Sequence, residues 1–161
     1  AAAKKHNVPI IADPKLTGLH RTQGVDCVLF QSKGLELMRR RLGAATGSEA
    51  ASILLETNGW EHLLILEGQD GVTIHSKGEN TVHVECLLEE IKQMIGLIDA
   101  AAVAVATAIT LNLSVEETAQ LANAASECIL IADRTDRFVL RLDDMIDRIG
   151  EIAWSLQVSK R

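Results

Sequence analysis

Short apolar runs alternate with polar turns along the first half of the chain and predict buried strands. Residues 8–12, 25–30 and 62–66 are mainly apolar runs, preceded by Asn7, Gly24 and Glu61 respectively. Continuous apolar runs of this length are typical of strands that are covered on both faces. Residues 72–76 and 81–84 follow glycine-containing turns, so we expect two further strands that return antiparallel as a hairpin.

Apolar residues between the strands recur at helical spacing. Residues 34–42 place Leu35, Met38 and Leu42 on one face of a predicted helix. Residues 49–57 form a second predicted helix, and Ser48 has the residue type and position of its N-cap.

The C-terminal part of the chain predicts two more helices. Ser114 and Glu117 have the spacing of a capping box, which indicates a helix that continues to about residue 132. A last amphipathic helix is expected from the spacing of six apolar residues: Phe138, Leu142, Met145, Ile149, Ile152 and Leu156.

Residues 91–112 form the stretch around which the other elements are organised. Residues 100–111 carry no charge, glycine or proline, and alanine dominates. Small side chains with high helix propensity predict a helix that packs closely on all sides in the centre of the fold. Asp99 falls in its first turn, where the helix dipole stabilises a carboxylate, so an ordinary first-turn acid is the plain interpretation. Lys92, Gln93 and Asp99 interrupt the stretch too often for a membrane span.

The order of these elements predicts an α/β protein with a layered sheet in a single domain over residues 1–161. Ligands of such sheets bind at the carboxyl ends of strands and at helix N-termini. Two segments meet this condition, residues 67–71 after the third strand and residues 96–99 at the start of the central helix.

Composition narrows the class of protein. Hydrophobic residues make up 47% of the 161 residues and aromatic residues only 2%, which predicts an aliphatic core. The net charge of −6, with three adjacent arginines at 39–41 as the one basic cluster, argues against nucleic acid as a partner. Three widely spaced cysteines and the lack of an N-terminal apolar segment predict free thiols in a cytoplasmic protein without a signal peptide.

The five histidines lack the spacing of metal ligands, and no metal site is predicted. We expect them at the surface or at strand edges. His75 and His83 flank the turn at residues 77–80 and could face each other across the hairpin.

Five short motifs, in order, resemble those of one family: residues 10–15 (ending Asp-Pro-Lys), 33–36, 65–71, 93–99 and 114–126. They resemble the family's Asp-Pro-Lys strand, Asn-x-x-Glu element, Val-Thr-x-Gly-x-x-Gly turn, Asp-x-x-Gly-Ala-Gly-Asp signature and the helix behind the nucleotide. The chain resembles the C-terminal half of ribokinase-like carbohydrate kinases of the PfkB family. Within that family it is most similar to the kinase domains of bifunctional heptose-phosphate kinase/adenylyltransferases.

The resemblance implies a three-layer α/β/α sheet that lacks the N-terminal strands and lid, through which such kinases hold the sugar. It implies ATP and Mg²⁺ as cofactors if the site is retained, and it assigns roles to single residues. Asp99 takes the place of the acid that accepts the proton of the sugar hydroxyl, and Gly96 belongs to the anion hole. The resemblance also implies four nucleotide-binding residues: Glu67, Gly68, Gly71 and Asn123. It places two more residues, Lys33 and Glu36, near Mg²⁺ and the phosphates.

Several motif positions depart from the family pattern. Leu97 and Ile98 stand where the family has small residues, and a β-branched residue such as Ile98 disfavours a positive φ. Gln93 replaces the early acid of the signature, and Lys33 replaces an asparagine. Because each lost donor typically costs about 10²–10³-fold in rate, we expect weak or absent phosphoryl transfer.

Three functions stay open on the sequence alone. The chain is the ATP-binding half of a sugar kinase, a catalytically inactive pseudokinase that regulates or binds, or a structural module. The chain begins within a predicted helix, so we expect either a piece of a longer protein or a half-domain that needs a partner. An incomplete sheet has an open edge, which favours pairing with another chain or with a second copy.

Overall fold

The computed structural model describes residues 2–133 and 140–159, with side chains in the last helix described as far as residue 153. The helices are α1 (Ala2–Lys5), α2 (Ser32–Leu42), α3 (Gly47–Asn58), α4 (Leu97–Thr110), α5 (Val115–Ile131) and α6 (Leu142–Ser159). The strands are β1 (Ile11–Ala12), β2 (Cys27–Gln31), β3 (His62–Leu66), β4 (Val72–Ser76) and β5 (Val82–Val84). Two 3-10 turns cover Leu16–Arg21 and Gly68–Asp70.

The five strands form one mixed sheet in the order β1-β2-β3-β4-β5. β1, β2 and β3 are parallel, whereas β4 and β5 each pair antiparallel with the preceding strand. The predicted bounds of β3 and β4 and the antiparallel return of the hairpin strands are confirmed. The carboxyl ends of β2 and β3 therefore lie together at one edge of the sheet.

Helices cover both faces of the sheet, which explains why its strands are apolar throughout rather than alternating. On one face, Leu63 and Ile65 of β3 pack with residues of α2 and α3. On the other face, Leu64 and Leu66 of the same strand pack with α4 and α5. The prediction of a three-layer α/β/α sheet is confirmed.

The two N-cap predictions had different outcomes. The capping box of α5 is confirmed, because Ser114 Oγ accepts from the Glu117 amide at 3.1 Å and Glu117 Oε2 accepts from the Ser114 amide at 2.8 Å. Ser48 as N-cap of α3 is wrong. The helix starts at Gly47, and Thr46 Oγ1 accepts from the Glu49 amide at 3.1 Å.

The first predicted strand is shorter than its apolar run. Only Ile11 and Ala12 pair with β2, and Val8 is 54% exposed. The Ile10 amide donates to the Asp26 carboxylate at 2.7 Å instead of to a strand partner. The Ile10 carbonyl still accepts from the Asp26 and Cys27 amides, at 3.1 and 3.2 Å, so Ile10 is joined to β2 by its carbonyl but not by its amide.

The central helix α4 is buried on one side only, so the prediction of close packing on all sides is wrong. Leu97, Ala101 and Ala108 lie in the core against the sheet and α5. Val103 on the opposite side is 63% exposed. Alanine-rich composition favoured the helix but did not indicate which side would be covered.

The predicted contact between His75 and His83 is wrong, because the hairpin register pairs Thr73 with His83. His75 instead lies beside Thr81, with 3.0 Å between its Nδ1 and Thr81 Oγ1. At 8% exposure His75 is also buried rather than at the surface.

The last helix packs on α5 through Met145 and Arg148, and its Ile152 is buried, while Leu142 and Ile146 are exposed. Phe138, predicted to lie on this helix, falls outside the described residues, as does the side chain of Leu156. Within the described part of the chain, no helix is long and apolar enough to cross a membrane.

Candidate functional site

The turn after β3, residues 67–71, is tied to its surroundings by its own polar groups. Glu67 Oε2 accepts from Thr73 Oγ1 at 2.9 Å and lies 3.4 Å from His83 Nδ1. Thr73 Oγ1 and His83 Nδ1 are also 2.8 Å apart. The Glu67 amide donates to the Gly71 carbonyl at 2.9 Å. The carboxylate of Glu67, which was predicted to bind nucleotide, is thus already bound by Thr73 and His83 of the hairpin. We call residues 67–71 the β3–β4 turn.

Gly71 is required in this turn for a steric reason. Its φ is +102°, and an added Cβ would lie 2.0 Å from the Val84 carbonyl oxygen. No side chain fits there without separating the turn from the backbone that follows β5. Gly68 also has a positive φ, but a Cβ there would touch only Met94, at 3.6 Å.

The segment that leads into α4, residues 93–99, lies next to the β3–β4 turn, as the contact between Gly68 and Met94 shows. We call it the α4 turn. Gly96 is the N-cap residue of α4 with φ +83°, and no side chain caps the helix. A Cβ on Gly96 would meet nothing within 4 Å, so the dihedral angle rather than space favours glycine here.

Two amides in the first turn of α4 have no hydrogen-bond acceptor within the described residues. The Leu97 amide donates to the Met94 carbonyl and the Ala100 amide to the Gly96 carbonyl. The amides of Ile98 and Asp99 lack such a partner among residues 2–133 and 140–159. Because unpaired N–H groups at a helix N-terminus attract anions, this turn presents two donors beside the exposed Asp99 carboxylate.

The bulky residues of the α4 turn are accommodated without strain. Leu97 and Ile98 are the first two residues of α4 and neither has a positive φ. Leu97 is buried in the core, and Ile98 packs against it. The expected conflict between Ile98 and a positive φ is therefore wrong, since Gly96 alone in this turn adopts that conformation.

Gln93 anchors the α4 turn, a role that sequence analysis missed. Its side chain is 5% exposed, its Oε1 accepts from the Ile95 amide at 2.7 Å, and its Nε2 donates to the Ile129 carbonyl. An amide can accept and donate at once, whereas an ionised acid only accepts. The substitution of the family's acid by Gln93 was the available signal.

A buried ion pair behind this segment was also missed. Glu127 is fully buried, and its carboxylate pairs with Arg148 of α6. Its Oε1 also accepts from the Leu87 amide at 2.8 Å and from Asn123 Nδ2 at 3.1 Å. The group therefore joins α5, α6 and the chain that runs from β5 to the α4 turn. The spacing of four residues predicts that Asn123 and Glu127 lie on the same side of a helix. It does not predict that Arg148 of another helix pairs with Glu127.

Asn123, predicted to bind nucleotide, points its amide into this buried group. Its Nδ2 also donates to the Glu85 carbonyl at 3.2 Å, and the residue is only 1% exposed. Its Oδ1 has no hydrogen-bond partner within the described residues. A nucleotide contact through Asn123 stays a prediction that would require this oxygen to become accessible.

Lys33 and Glu36 lie on α2, which starts at the same edge of the sheet, where Ser32 Oγ donates to the Leu66 carbonyl at 3.2 Å. Lys33 is exposed. Both Glu36 oxygens accept from Arg39 and Arg40, and these hydrogen bonds lower the pKa of Glu36 to about 2.

The described residues do not form a metal site of their own in the absence of phosphate oxygens. Among them, no three His, Cys, Asp or Glu side chains converge. Protein-bound Mg²⁺ needs one or two available carboxylates besides phosphate oxygens, and the Glu36 carboxylate is already paired.

The layered sheet, the turns at the carboxyl end of β3 and the open N-terminus of α4 define a ribokinase-like α/β protein. Residues 1–135 match the sequence model of the pfkB family of carbohydrate kinases. The chain belongs to this family, which confirms the resemblance seen in its motifs.

Relatives narrow the similarity within the family. The bifunctional protein HldE of Trichlorobacter lovleyi is 26% identical over 135 residues, which cover 78% of this chain and 26% of that protein. HldE of Caulobacter sp. (strain K31) is 29% identical over 156 residues, 91% of this chain and 30% of that protein. The chain thus spans little more than a quarter of the length of these relatives.

Solved structures support the same fold. Escherichia coli phosphofructokinase-2 in complex with potassium superposes with a TM-score of 0.79 at 19% identity, over 94% of this chain and 50% of that one. The tetrameric inhibited form of the same enzyme gives a TM-score of 0.74 at 19% identity, over 94% of this chain and 49% of that one. The matched part corresponds to about half of a kinase chain.

Proposed function

We propose that this chain is the nucleotide-binding half of a PfkB-type sugar kinase whose phosphate contacts are reduced and whose activity is weak or absent. The observation that carries the proposal is the α4 turn, where the amides of Ile98 and Asp99, beside an exposed carboxylate, have no acceptor among residues 2–133 and 140–159. Membership of the family and the similarity to HldE support a sugar or sugar phosphate as the acceptor.

The residues of the α4 turn suit the two needs of phosphoryl transfer. ATP, when bound, supplies the γ-phosphate that passes to a sugar hydroxyl. The amides of Ile98 and Asp99 would donate hydrogen bonds to phosphate oxygens, and the dipole of α4 favours the same negative charge. The Asp99 carboxylate would accept the proton that the hydroxyl loses.

We expect weak activity because two carboxylates predicted to lie near the nucleotide and its phosphates already bind other side chains of the protein. Glu67 is bound by Thr73 and His83, and Glu36 by two arginines. Among the described residues, no three His, Cys, Asp or Glu side chains converge to hold a metal ion. A pseudokinase that binds nucleotide without turnover is therefore the alternative we keep within the same proposal.

Titration with ATP and ADP, each with and without Mg²⁺, tests the binding step. A native-state ligand raises the melting temperature in a saturable way. In ¹H–¹⁵N spectra we expect the amide signals of Ile98 and Asp99 to shift, with smaller changes at residues 67–71. No saturable response at millimolar nucleotide would contradict the proposal for both the kinase and the nucleotide-binding pseudokinase.

Turnover with candidate sugar phosphates separates the two alternatives. If activity is present, Asp99→Asn should lower it by at least about 10²-fold, the usual contribution of a general base. Asp70→Asn is the matched control, because Asp70 is an exposed acid in the neighbouring β3–β4 turn. Equal effects of both substitutions would remove Asp99 from its proposed role.

A second candidate function is assembly with another chain through the open sheet edge. β1 lies at the end of the sheet, and no strand of the described part of the chain pairs with its outer side. The exposed apolar side of α6, at Leu142 and Ile146, offers a second contact surface. Sedimentation at several protein concentrations distinguishes self-association from the need for a different partner.

The three free cysteines suit a cytoplasmic location for either function.

A further inference from the structure

A cavity of about 280 Å³ lies between the sheet and the hairpin of α4 and α5. Cys27 and His62, at the starts of β2 and β3, form one wall, and Val105 and Ile109 of α4 form another. The α4 turn is at the opposite end of this helix. Ten residues separate Asp99 from Ile109, and a rise of 1.5 Å per residue puts about 15 Å between them. The cavity is therefore distinct from the site proposed above.

The volume sets the size of an occupant. A cavity of about 150 Å³ is enough to hold benzene in a protein core. At about 280 Å³ the cavity is close to the lower end of natural ligand pockets, which begin near 300 Å³. Two fused rings, as in indole, are of a suitable size.

The walls disfavour an anionic occupant. No Lys, Arg, Asp or Glu is found among the described residues that line the cavity, and most of the lining is aliphatic. An anionic group would lose its hydration there without a positive partner, and the carboxylates of Glu79, Glu61 and Asp26, whose charges act on His62, would oppose it. An uncharged and mainly apolar molecule is the class that these walls accept.

His62 gives the cavity a polar group with unused hydrogen-bonding capacity. Its Nδ1 lies 2.8 Å from Ser76 Oγ, and its Nε2 has no hydrogen-bond partner among residues 2–133 and 140–159. Burial lowers the pKa of His62 and so favours the neutral ring, in which Nε2 donates or accepts according to its tautomer. Asn112, exposed at the rim, offers a second polar group.

The cavity also contains a thiol that is not a nucleophile. Burial raises the pKa of Cys27 to about 12, so the thiol stays protonated at neutral pH. Binding there would be non-covalent.

We propose that this cavity binds an uncharged, mainly apolar molecule of about two fused rings that carries one hydrogen-bonding group for His62. The site lies between the sheet and the layer of α4 and α5, and it does not depend on nucleotide binding at the α4 turn.

Titration of the 161-residue chain with indole tests the proposal, and indole-3-carboxylate serves as the charged probe of similar size. We expect saturable binding of indole with a Kd of about 0.1–1 mM, as is usual for so small a ligand, and much weaker binding of the carboxylate. In ¹H–¹³C methyl spectra, the signals of Val105 and Ile109 should shift, while those of the exposed Val103 should not. No saturable indole binding, or shifts confined to Val103 and other surface residues, would overturn the proposal.

A filled cavity provides the matched variant. Val105→Phe places a ring inside the cavity and should weaken indole binding by at least about tenfold, because the occupied volume is no longer free. Val103→Phe makes the same change on the exposed side of α4 and should leave the Kd unchanged. Equal affinities in the two variants would overturn the proposal. If Val105→Phe does not fold, the methyl shifts of the unmodified chain decide the question.

Discussion

The β3–β4 turn and the α4 turn lie side by side at one edge of the sheet and use their polar groups in opposite ways. In the β3–β4 turn, Glu67 is bound by Thr73 and His83, and Gly71 is packed against the Val84 carbonyl. In the α4 turn, the Asp99 carboxylate is exposed, two amides have no acceptor in the described part of the chain, and the space at Gly96 is open.

The difference shows which of two similar-looking motifs is available for chemistry. Both turns contain glycine and an acidic residue, and both were candidate sites in the sequence. A polar group whose partners are supplied by its own hairpin stabilises the fold, whereas an unpaired helix N-terminus keeps its capacity for an anion.

The largest expected effect is at Gly71. Gly71→Ala places a Cβ 2.0 Å from the Val84 carbonyl oxygen, so the hairpin must move apart. We expect a loss of at least about 4 kcal/mol in the free energy of unfolding, measured by urea denaturation. Gly78→Ala is the control, because Gly78 also has a positive φ (+74°) but no atom within 4 Å of a Cβ. Similar losses in both variants would show that the cost of Gly71→Ala comes from the positive φ and not from the close contact with the Val84 carbonyl.

The next effect concerns the buried ion pair behind the α4 turn. Arg148→Ala leaves the fully buried Glu127 without its charged partner. Removing one partner of a buried pair costs about 3 kcal/mol or more in the free energy of unfolding.

Glu151→Ala is the matched control for that ion pair, since Glu151 binds the same arginine from an exposed position. We expect the control to change stability by less than about 1 kcal/mol. If the two variants lose equal stability in the same denaturation measurement, the Glu127 contact is not what secures α6.

A smaller effect is expected at Gly96. With no neighbour within 4 Å of a Cβ, Gly96→Ala meets only the cost of a positive φ, about 1 kcal/mol. Gly43→Ala is the control, because Gly43 caps α2 at φ +69° in equally open space. Losses that agree within error in thermal denaturation would sharpen the contrast with Gly71. A much larger loss at Gly96 would mean that the α4 turn is as tightly packed as its neighbour.

Much of the fold was predictable because its causes are local. The apolar runs gave β3 and β4 their bounds, and the capping box of α5 depends only on Ser114 and Glu117. The predictions of secondary structure and of side-chain contacts failed where a residue distant in the chain determines the local hydrogen bonds. Asp26 takes the Ile10 amide and shortens β1, and the register of the hairpin separates His75 from His83.

The position of the candidate site was predictable from the sequence. Which of its polar groups are free to bind a ligand was not. Sequence motifs indicated both turns, yet they could not show that Thr73 and His83 would occupy Glu67 or that Arg148 would reach Glu127. These contacts join residues that are far apart in the chain or that meet only through the hairpin register. Gln93 is an intermediate case, because its amide type was visible but its contact with Ile129 was not.

The smallest expected effect is a pH dependence of the hairpin that carries the β3–β4 turn. Burial lowers the pKa of His75, whose unfolded value is about 6.5, so the unfolded chain binds a proton that the folded chain resists. The contribution of His75 to stability is therefore present above about pH 6.5 and is lost as the pH falls through the folded pKa. His75→Gln should reduce the fall in the free energy of unfolding between pH 7 and 5.5, measured by urea denaturation at each pH. Part of the slope should remain, because burial lowers the pKa of His62 in the same direction. The exposed His20 provides the control substitution, His20→Gln. If both variants reproduce the slope of the unmodified chain, burial of His75 does not couple the hairpin to pH.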